Sequence, residues 1–511
     1  MNSKSENNKR IAKNTIVLYV RMLFLMAINL YASRVVLATL GVTDYGIYNA
    51  VGGFVAMFHV INGAMSTATQ RFLSFEIGTG DDEKITKIFS TAIVIHVLLA
   101  LIIMFVAETV GIWFLNEKMQ FPPDRYVAAN LVFQLSILTL MINVISVPYN
   151  AALVAYEKMS AFAYISIIEG ILKLLIVYLV VIMKGDKLVL YAFFISLIAI
   201  GIRCTYGLYV NRHLPTCRNN WRMEKSVRKE MMSFVSWNLI GSTAGIVQQQ
   251  GLSVLLNIFF GAAINAARGI SIQVLHAVSG FVSNFNLAMN PQIIKSYASG
   301  HKEEMFNLAI RGSKFSYMLM LLLSAPIIIE TPYLLNLWLV EVPENSVLFA
   351  RVILLIALTD SMKHTMVASV HASGKVKLYQ LTNGIFALLT IPVAYVVLRL
   401  GYPPVSALIT SLVFSIICHF IRLLVLWKIV RFPVGKYLKT VTFRMFVISL
   451  LSLSIPIYVY KLLPQSFISF LVVCVITLIS TGGVCFILGL SSTEKNFISN
   501  KIMELLNRFS K

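Results

Sequence analysis

The residues of this sequence best placed to do chemistry are charged side chains standing where charge is costly. Eight basic residues, Arg21, Arg34, Lys173, Arg203, Arg268, Arg351, Lys363 and Arg422, fall inside long apolar runs, together with Glu169 and Asp360. A charge at the middle of a membrane helix costs at least about 2.5–3.5 kcal/mol on insertion scales, so each needs a partner, a route to the interface or wet surroundings. Glu169 and Lys173 are four residues apart and Asp360 and Lys363 three apart. Each pair therefore shares a helix face and can neutralise itself, or relay a proton or cation. Arg203, Arg351 and Arg422 stand near the ends of their runs, within snorkelling reach of the interface. Arg34 is expected to pair with Asp44 across a short turn. Arg21 and Arg268 have no carboxylate at helical spacing and become candidates to meet an anion, because forked guanidinium donors match phosphate or carboxylate oxygens. Arg21 and Arg34 are separated by about 220° around their helix, so at most one faces a shared cleft.

Uncharged polar residues extend the pattern. The eighth apolar run carries Arg268, Ser271, Ser279, Ser283, Asn286 and Asn290 at helical spacing, with His276 and Asn284 beside that stripe. The second carries Asn49, Gly52, His59, Asn62, Gly63, Ser66 and Gln70, and the seventh carries Asn238 and the run Gln248, Gln249 and Gln250 between Gly245 and Gly251. Three consecutive glutamines cover about 200° of a helix, too wide for one ordinary contact, which implies a kink or a water-filled lining. The alternative for all these stripes is dry packing of small and polar residues between helices. His-Glu-x-x-His, phosphate-cradling glycine loops and Gly-x-Ser-x-Gly are absent, and His364 and His371 lack a third metal ligand at suitable spacing. No cofactor is expected beyond H+ or Na+ as a coupling ion, served by Glu169, Asp360 or Glu108.

The elements that must position these groups follow from composition. The chain has 511 residues, 58% hydrophobic and 13% charged, against about 45–50% and 25% in soluble globular proteins, which argues against a water-soluble enzyme. Fourteen apolar runs bounded by charge or Gly/Pro clusters fall at about 14–40, 44–68, 88–110, 127–148, 160–183, 188–210, 232–259, 265–290, 314–340, 346–371, 377–399, 403–427, 441–460 and 466–490. The first is too long and too charged for a cleaved signal peptide and reads as a retained span. With the amino terminus inside, 29 of the 43 Lys+Arg fall in inner loops and tails and six in outer loops, so both termini should be cytoplasmic. The net charge of +21 then reflects orientation in a lipid bilayer, with no nucleic acid implied. The five cysteines form no Cys-x-x-Cys and indicate no disulfide framework. The basic segment from Asn211 to Met231 reads as a self-solvating linker, with acidic lipid or a partner as the other possibility. The tail 491–511 reads as a short amphipathic helix.

The chain also repeats itself at an offset of 215–222 residues: "GTGDDEKITKIFSTA" parallels "SGHKEEMFNLAIRGS", Glu108 parallels Glu330, and Arg203 and Pro215 parallel Arg422 and Pro433. Six spans repeated once give both copies the same topology. The expectation is an all-α polytopic membrane protein of about 14 transmembrane helices: two six-helix lobes related by an axis along the membrane normal, plus two extra helices. The divisions are an N-terminal lobe at 1–216, a linker at 217–231, a C-terminal lobe at 232–433, an additional pair at 434–490 and a tail at 491–511, with a central cleft between the lobes.

The stretch "ASRVVLATLGVTDYGIYNAVGGFVAMFHVINGAMSTATQRFLSFEIG", with Arg34, Gly41, Asp44, Tyr45, Gly46, Tyr48, Arg71, Phe72 and Gly78, resembles the amino-terminal signature of the bacterial Wzx-type polysaccharide flippases. These belong to a superfamily with multidrug-and-toxin extruders and the peptidoglycan-precursor flippase, and the fourteen-span, 6+6+2 organisation agrees with it. The resemblance implies transport of a polyprenyl-diphosphate-linked oligosaccharide across the bacterial inner membrane by alternating access, beside a polysaccharide polymerase and glycosyltransferases of capsule, O-antigen or lipopolysaccharide assembly. It is also consistent with arginines on the first and eighth helices, here Arg21 and Arg268, meeting the diphosphate. A cation-coupled multidrug extruder is the nearest alternative; a membrane glycosyltransferase or polymerase, and a non-transporting scaffold, are the others.

Overall fold

A computed structural model of the chain describes residues 2–56, 58–117, 121–218, 220–339, 342–492 and 494–496; the side chains of Arg34 and His59 are outside that description, as is most of the predicted amphipathic tail. All regular structure among the described residues is helical. In chain order the helices are α1 (Asn2–Ala56), α2 (His59–Thr79), α3 (Asp82–Val106), α4 (Ile112–Glu117), α5 (Tyr126–Ala155), α6 (Met159–Ile182), α7 (Lys187–His213), α8 (Lys225–Phe260), α9 (Ala262–Ala298), α10 (Lys302–Ile329), α11 (Thr331–Trp338), α12 (Ser346–Ser361), α13 (Lys363–Ser373), α14 (Val376–Arg399), α15 (Val405–Val430), α16 (Val434–Tyr437), α17 (Arg444–Leu462) and α18 (Phe467–Val484). Ten helical segments among the described residues are long and apolar enough to cross a membrane, and the chain is a multi-pass membrane protein. Helices α8 and α9, at 36 and 37 residues, have the length but are absent from that set because they carry the polar stripes.

Each apolar run of the sequence lies on helix, with three departures, the ninth run breaking at Glu330 between α10 and α11. The second run is not one rod: α1 continues through a kink at Gly41 to Ala56, and α2 starts at His59. The tenth is split where α12 ends at Ser361 and α13 starts at Lys363. Local chemistry sets several ends. The Asp81 carboxylate accepts from the Lys84 N–H at 3.0 Å and starts α3, and Asp186 accepts from Leu188 and Val189 N–H at 3.0 and 3.2 Å and starts α7.

The internal repeat is written into the backbone. Gly41 and Gly261, 220 residues apart, have φ of 78° and 79°; Gly80 and Gly300, also 220 apart, have 81° and 80°. Glu157 and Gly374 (59° and 73°), and Gly185 and Gly401 (130° and 86°), recur at 217 and 216. Left-handed backbone is costly for residues with a Cβ, so Glu157 is the one member of these pairs that holds the conformation at a cost.

The chain divides spatially into two units, Met1–Thr243 with Leu287–Lys302, and Ala244–Asn286 with Glu303–Lys511. In the first, Ile47, Val51, Leu115, Val132, Phe133 and Leu188 form an apolar core. Asp44 accepts from Arg125 Nε at 2.8 Å, and Arg125 Nη1 also donates to Asp186 at 2.6 Å. This triad ties α1 to the starts of α5 and α7; the expected Arg34–Asp44 pair lies outside the described side chains. Glu157, its side chain 1% exposed, accepts from Arg10 Nη2, Gln292 Nε2 and Lys295 Nζ, each at 2.6 Å. Gly78 adds a close approach, since a Cβ there would stand 2.7 Å from the Lys295 carbonyl, and Ser299 Oγ donates to the Gly78 carbonyl at 2.6 Å.

In the second unit Leu252, Leu256, Ala267, Phe349, Ala394 and Leu408 form the core. Arg351 is not extended toward the interface: its Nε and Nη2 donate to the Ile328 and Ile329 carbonyls at 2.9 and 3.2 Å, at the end of α10, where a cation meets the negative end of the helix. The final pair packs on α10 through Tyr317 and Ser449 (2.8 Å) and is stitched together by Ser480 Oγ donating to the Ser452 carbonyl (2.9 Å).

Candidate functional site: two buried guanidinium groups

Burying a guanidinium without satisfying its donors is expensive, so the useful question for each intramembrane arginine is where its N–H groups go. Arg203 lies on an aromatic face, its Cζ 3.7 Å from the Tyr149 ring centroid. Arg422 is 3% exposed and its Nη2 donates to Asn383 Oδ1 at 3.4 Å. Both are held inside the protein by neighbours that sequence spacing could not identify.

Arg268 is different. It is 4% exposed and sits on α9 seven residues past the left-handed turn at Gly261. Its Nη2 reaches back across that turn to the main-chain carbonyl of Gln249 on α8, at 2.7 Å. Its Nε and Nη1 have no acceptor among the described residues, and no carboxylate is paired with it there. Its sequence neighbour Ala267 belongs to the apolar core of this unit, together with Leu255 and Leu256 of α8. Gly251 brings α8 close to α14, because a Cβ there would stand 2.7 Å from Ile391 Cδ1. Beside it, Gln248 Nε2 donates to Thr390 Oγ1 at 3.2 Å. Gln249, Gln250 and His276 are exposed, and lipid against them would leave their polar groups unsatisfied.

Arg21 occupies the first unit. Its guanidinium carbon lies 4.5 Å from the Phe162 ring centroid on α6, a cation–π distance, and its Nε has no acceptor among the described residues. Glu169 and Tyr206 are within electrostatic reach, but the Glu169 carboxylate already accepts from Lys173 Nζ at 2.6 Å. Gly170 allows α1 this close to α6: a Cβ would stand 2.7 Å from Leu25 Cδ2.

The other polar positions divide into packing groups and open ones. Asn286, 3% exposed, donates to the Val282 carbonyl at 2.7 Å and pairs with Ser316 Oγ at 3.2 Å; it clamps α9 to α10. Ser271 is likewise buried against the Ala267 and Ser346 carbonyls. Asn238 and Asn284 turn an amide N–H back to the Phe234 and Gly280 carbonyls of their own helices, at 2.9 and 2.8 Å. Asn62 keeps a buried Oδ1 without a donor among the described residues. Asp360 accepts from Lys363 Nζ at 2.6 Å and from Ser415 Oγ at 2.8 Å; Ser415 was not visible as a partner in the sequence. Among the described residues no group of three or more His, Cys, Asp or Glu is placed to hold a metal ion.

No family model and no curated protein matches the sequence. Solved structures do. A MATE crystal structure in the bent conformation superposes with a TM-score of 0.72 at 13% identity, covering 85% of this chain and 97% of the other. The outward-facing conformation of a multidrug resistance MATE family transporter of the MOP superfamily gives 0.71 at 12% identity, covering 84% and 96%. A MOP superfamily transporter from Pyrococcus furiosus, described by the reverse polarity of its binding pocket, gives 0.70 at 12% identity, again covering 84% and 96%. The chain has the fold of the MATE transporters.

Proposed function

We propose that this protein is a flippase that moves a polyprenyl-diphosphate-linked oligosaccharide across the bacterial inner membrane by alternating access, for assembly of a surface polysaccharide. The observation that carries this reading is the guanidinium of Arg268, buried beside an apolar core with Nε and Nη1 free of protein acceptors among the described residues. A diphosphate supplies about two negative charges and acceptor oxygens that suit such donors. Arg21 is the second diphosphate contact, and exposed Gln249, Gln250 and His276 offer hydrogen bonds to sugar hydroxyls. His59, Asn62, Asn238, Gln248 and Asn284, on α2, α8 and α9, are further candidate contacts in this reading. Both termini are cytoplasmic in this reading, by the distribution of basic residues. Its partners are the glycosyltransferases that build the cargo and the polymerase that consumes it, with H+ or Na+ as the coupling ion.

The neighbour from Pyrococcus furiosus, whose pocket polarity is described as reversed and suggestive of a different function, supports the idea that this fold serves cargoes of more than one charge. A cation-coupled drug extruder is the second reading, favoured by the intramembrane Asp360. That carboxylate is occupied on one oxygen by Lys363 and on the other by Ser415, which favours the flippase.

The test is complementation of a strain lacking the gene. Arg268→Ala and Arg21→Ala should abolish surface polymer at normal protein levels, Arg→Lys should restore part of it, and drug resistance should not change. Wild-type polymer in both alanine variants contradicts the assignment.

A further inference from the structure

We infer that the segment between α7 and α8 is a docking surface for anionic lipid headgroups, with Trp221 as its apolar wedge. The inference stands apart from both arginine sites.

The segment is held in place, contrary to a linker that merely solvates itself. Thr86 Oγ1 donates to the Thr216 carbonyl at 2.8 Å and Ser90 Oγ to the Arg218 carbonyl at 3.0 Å. The Asn220 N–H donates to Ser90 Oγ and the Glu224 N–H to Thr91 Oγ1, both at 3.1 Å. Leu214 and Cys217 are buried beneath it. Just over one turn of α3 thus fixes the segment's backbone from 216 to 224.

On this pinned loop Trp221 is 68% exposed and its φ is 51°. A bulky side chain rarely occupies left-handed backbone, and such strain marks positions where the surrounding structure dictates the conformation. Along the segment and the first turns of α8, Arg212, Arg218, Arg222, Lys225, Arg228 and Lys229 are all exposed, with Glu224 and Glu230 of opposite sign; on the adjoining start of α3 the acids Asp82 and Glu83 are offset by Lys84 and Lys87. An indole with an apolar body and one N–H donor suits the headgroup boundary, and clustered Lys and Arg beside a membrane helix attract anionic lipid. The loop joins the ends of two long helices, so it lies at the depth where headgroups are found.

The test uses the full chain in nanodiscs of phosphatidylcholine or phosphatidylglycerol brominated near the headgroup. The Trp221 signal is the wild-type fluorescence minus that of Trp221→Phe, which removes the other four tryptophans. The expected result is quenching at least about threefold stronger in brominated phosphatidylglycerol, falling to parity in a variant with Arg218→Gln, Arg222→Gln, Lys225→Gln and Arg228→Gln that elutes normally on size exclusion. A Trp221 signal untouched by either lipid, quenched equally by both, or still selective after the charges are removed overturns the inference.

Discussion

Arg268 spends one guanidinium nitrogen on the main-chain carbonyl of Gln249, at 2.7 Å, and leaves two without a protein acceptor among the described residues. The carbonyl fixes the direction of the fork, and the Gly261 turn places it. In the proposed reading, this geometry would stand ready before an anion arrives.

Arg21 has its aromatic support in Phe162. Phe162→Leu keeps apolar volume and removes the ring face, so export should fall by a few-fold, in line with about 0.5–1 kcal/mol for one cation–π contact. Arg21→Ala should be far more severe. Surface polymer measured per unit of protein separates the two.

Glu157 is the deepest carboxylate knot of the first unit. Glu157→Gln leaves Lys295 without its counter-charge; removing one partner of a buried pair costs about 3–5 kcal/mol, and less here because the Arg10 side chain is half exposed. A drop of several degrees in the detergent-solubilised melting temperature is expected, and an unchanged melt would show that the knot contributes nothing.

The Arg125 triad predicts a pH dependence. Burial alone would raise the Asp186 carboxyl, but hydrogen bonds from Arg125 and from the Val189 and Leu188 N–H groups outweigh it and hold it below the ordinary carboxylate value of 3.8. A depressed folded-state value means the stabilisation is present above 3.8 and lost as pH falls through the lower value. Asp186→Asn keeps the helix cap and should flatten the acid limb of stability by under about 1 kcal/mol at this partly exposed site; Asp186→Ala should cost about 1 kcal/mol more through the lost cap. Thermal melts from pH 3 to 7 distinguish them.

Open and packed polar positions should differ in reactivity. In a background without the five native cysteines, a water-soluble maleimide should label cysteine placed at Gln250 or His276, which are exposed, and spare Asn286, which is sealed between α9 and α10. Equal labelling at all three would mean the polar stripe is one continuous surface.

What the sequence made legible was local. Apolar runs marked the helices, and the spacings of Glu169 with Lys173 and Asp360 with Lys363 anticipated contacts of 2.6 Å, because residues three or four apart on a helix must meet. The breaks between runs at 40–44 and 259–265 fell where Gly41 and Gly261 turn the chain, and their recurrence follows the same repeat. Partners distant in sequence were invisible: Asp44 joins Arg125, 81 residues away, and Glu157 gathers Arg10, Gln292 and Lys295 across 135–147 residues. The partner of Asn286, Ser316, was invisible for a related reason, since helical spacing shows which residues share a face but not whether that face meets water or another helix.

The central claim is that the Arg268 donors receive a diphosphate, and native mass spectrometry of the purified protein with polyprenyl diphosphate tests it most directly. The account predicts that Arg268→Gln weakens binding by about 10–100-fold, as expected for charged hydrogen bonds of about 1.5–3 kcal/mol, while the matching monophosphate binds more weakly and is less sensitive to the change. Wild-type affinity in Arg268→Gln would contradict it.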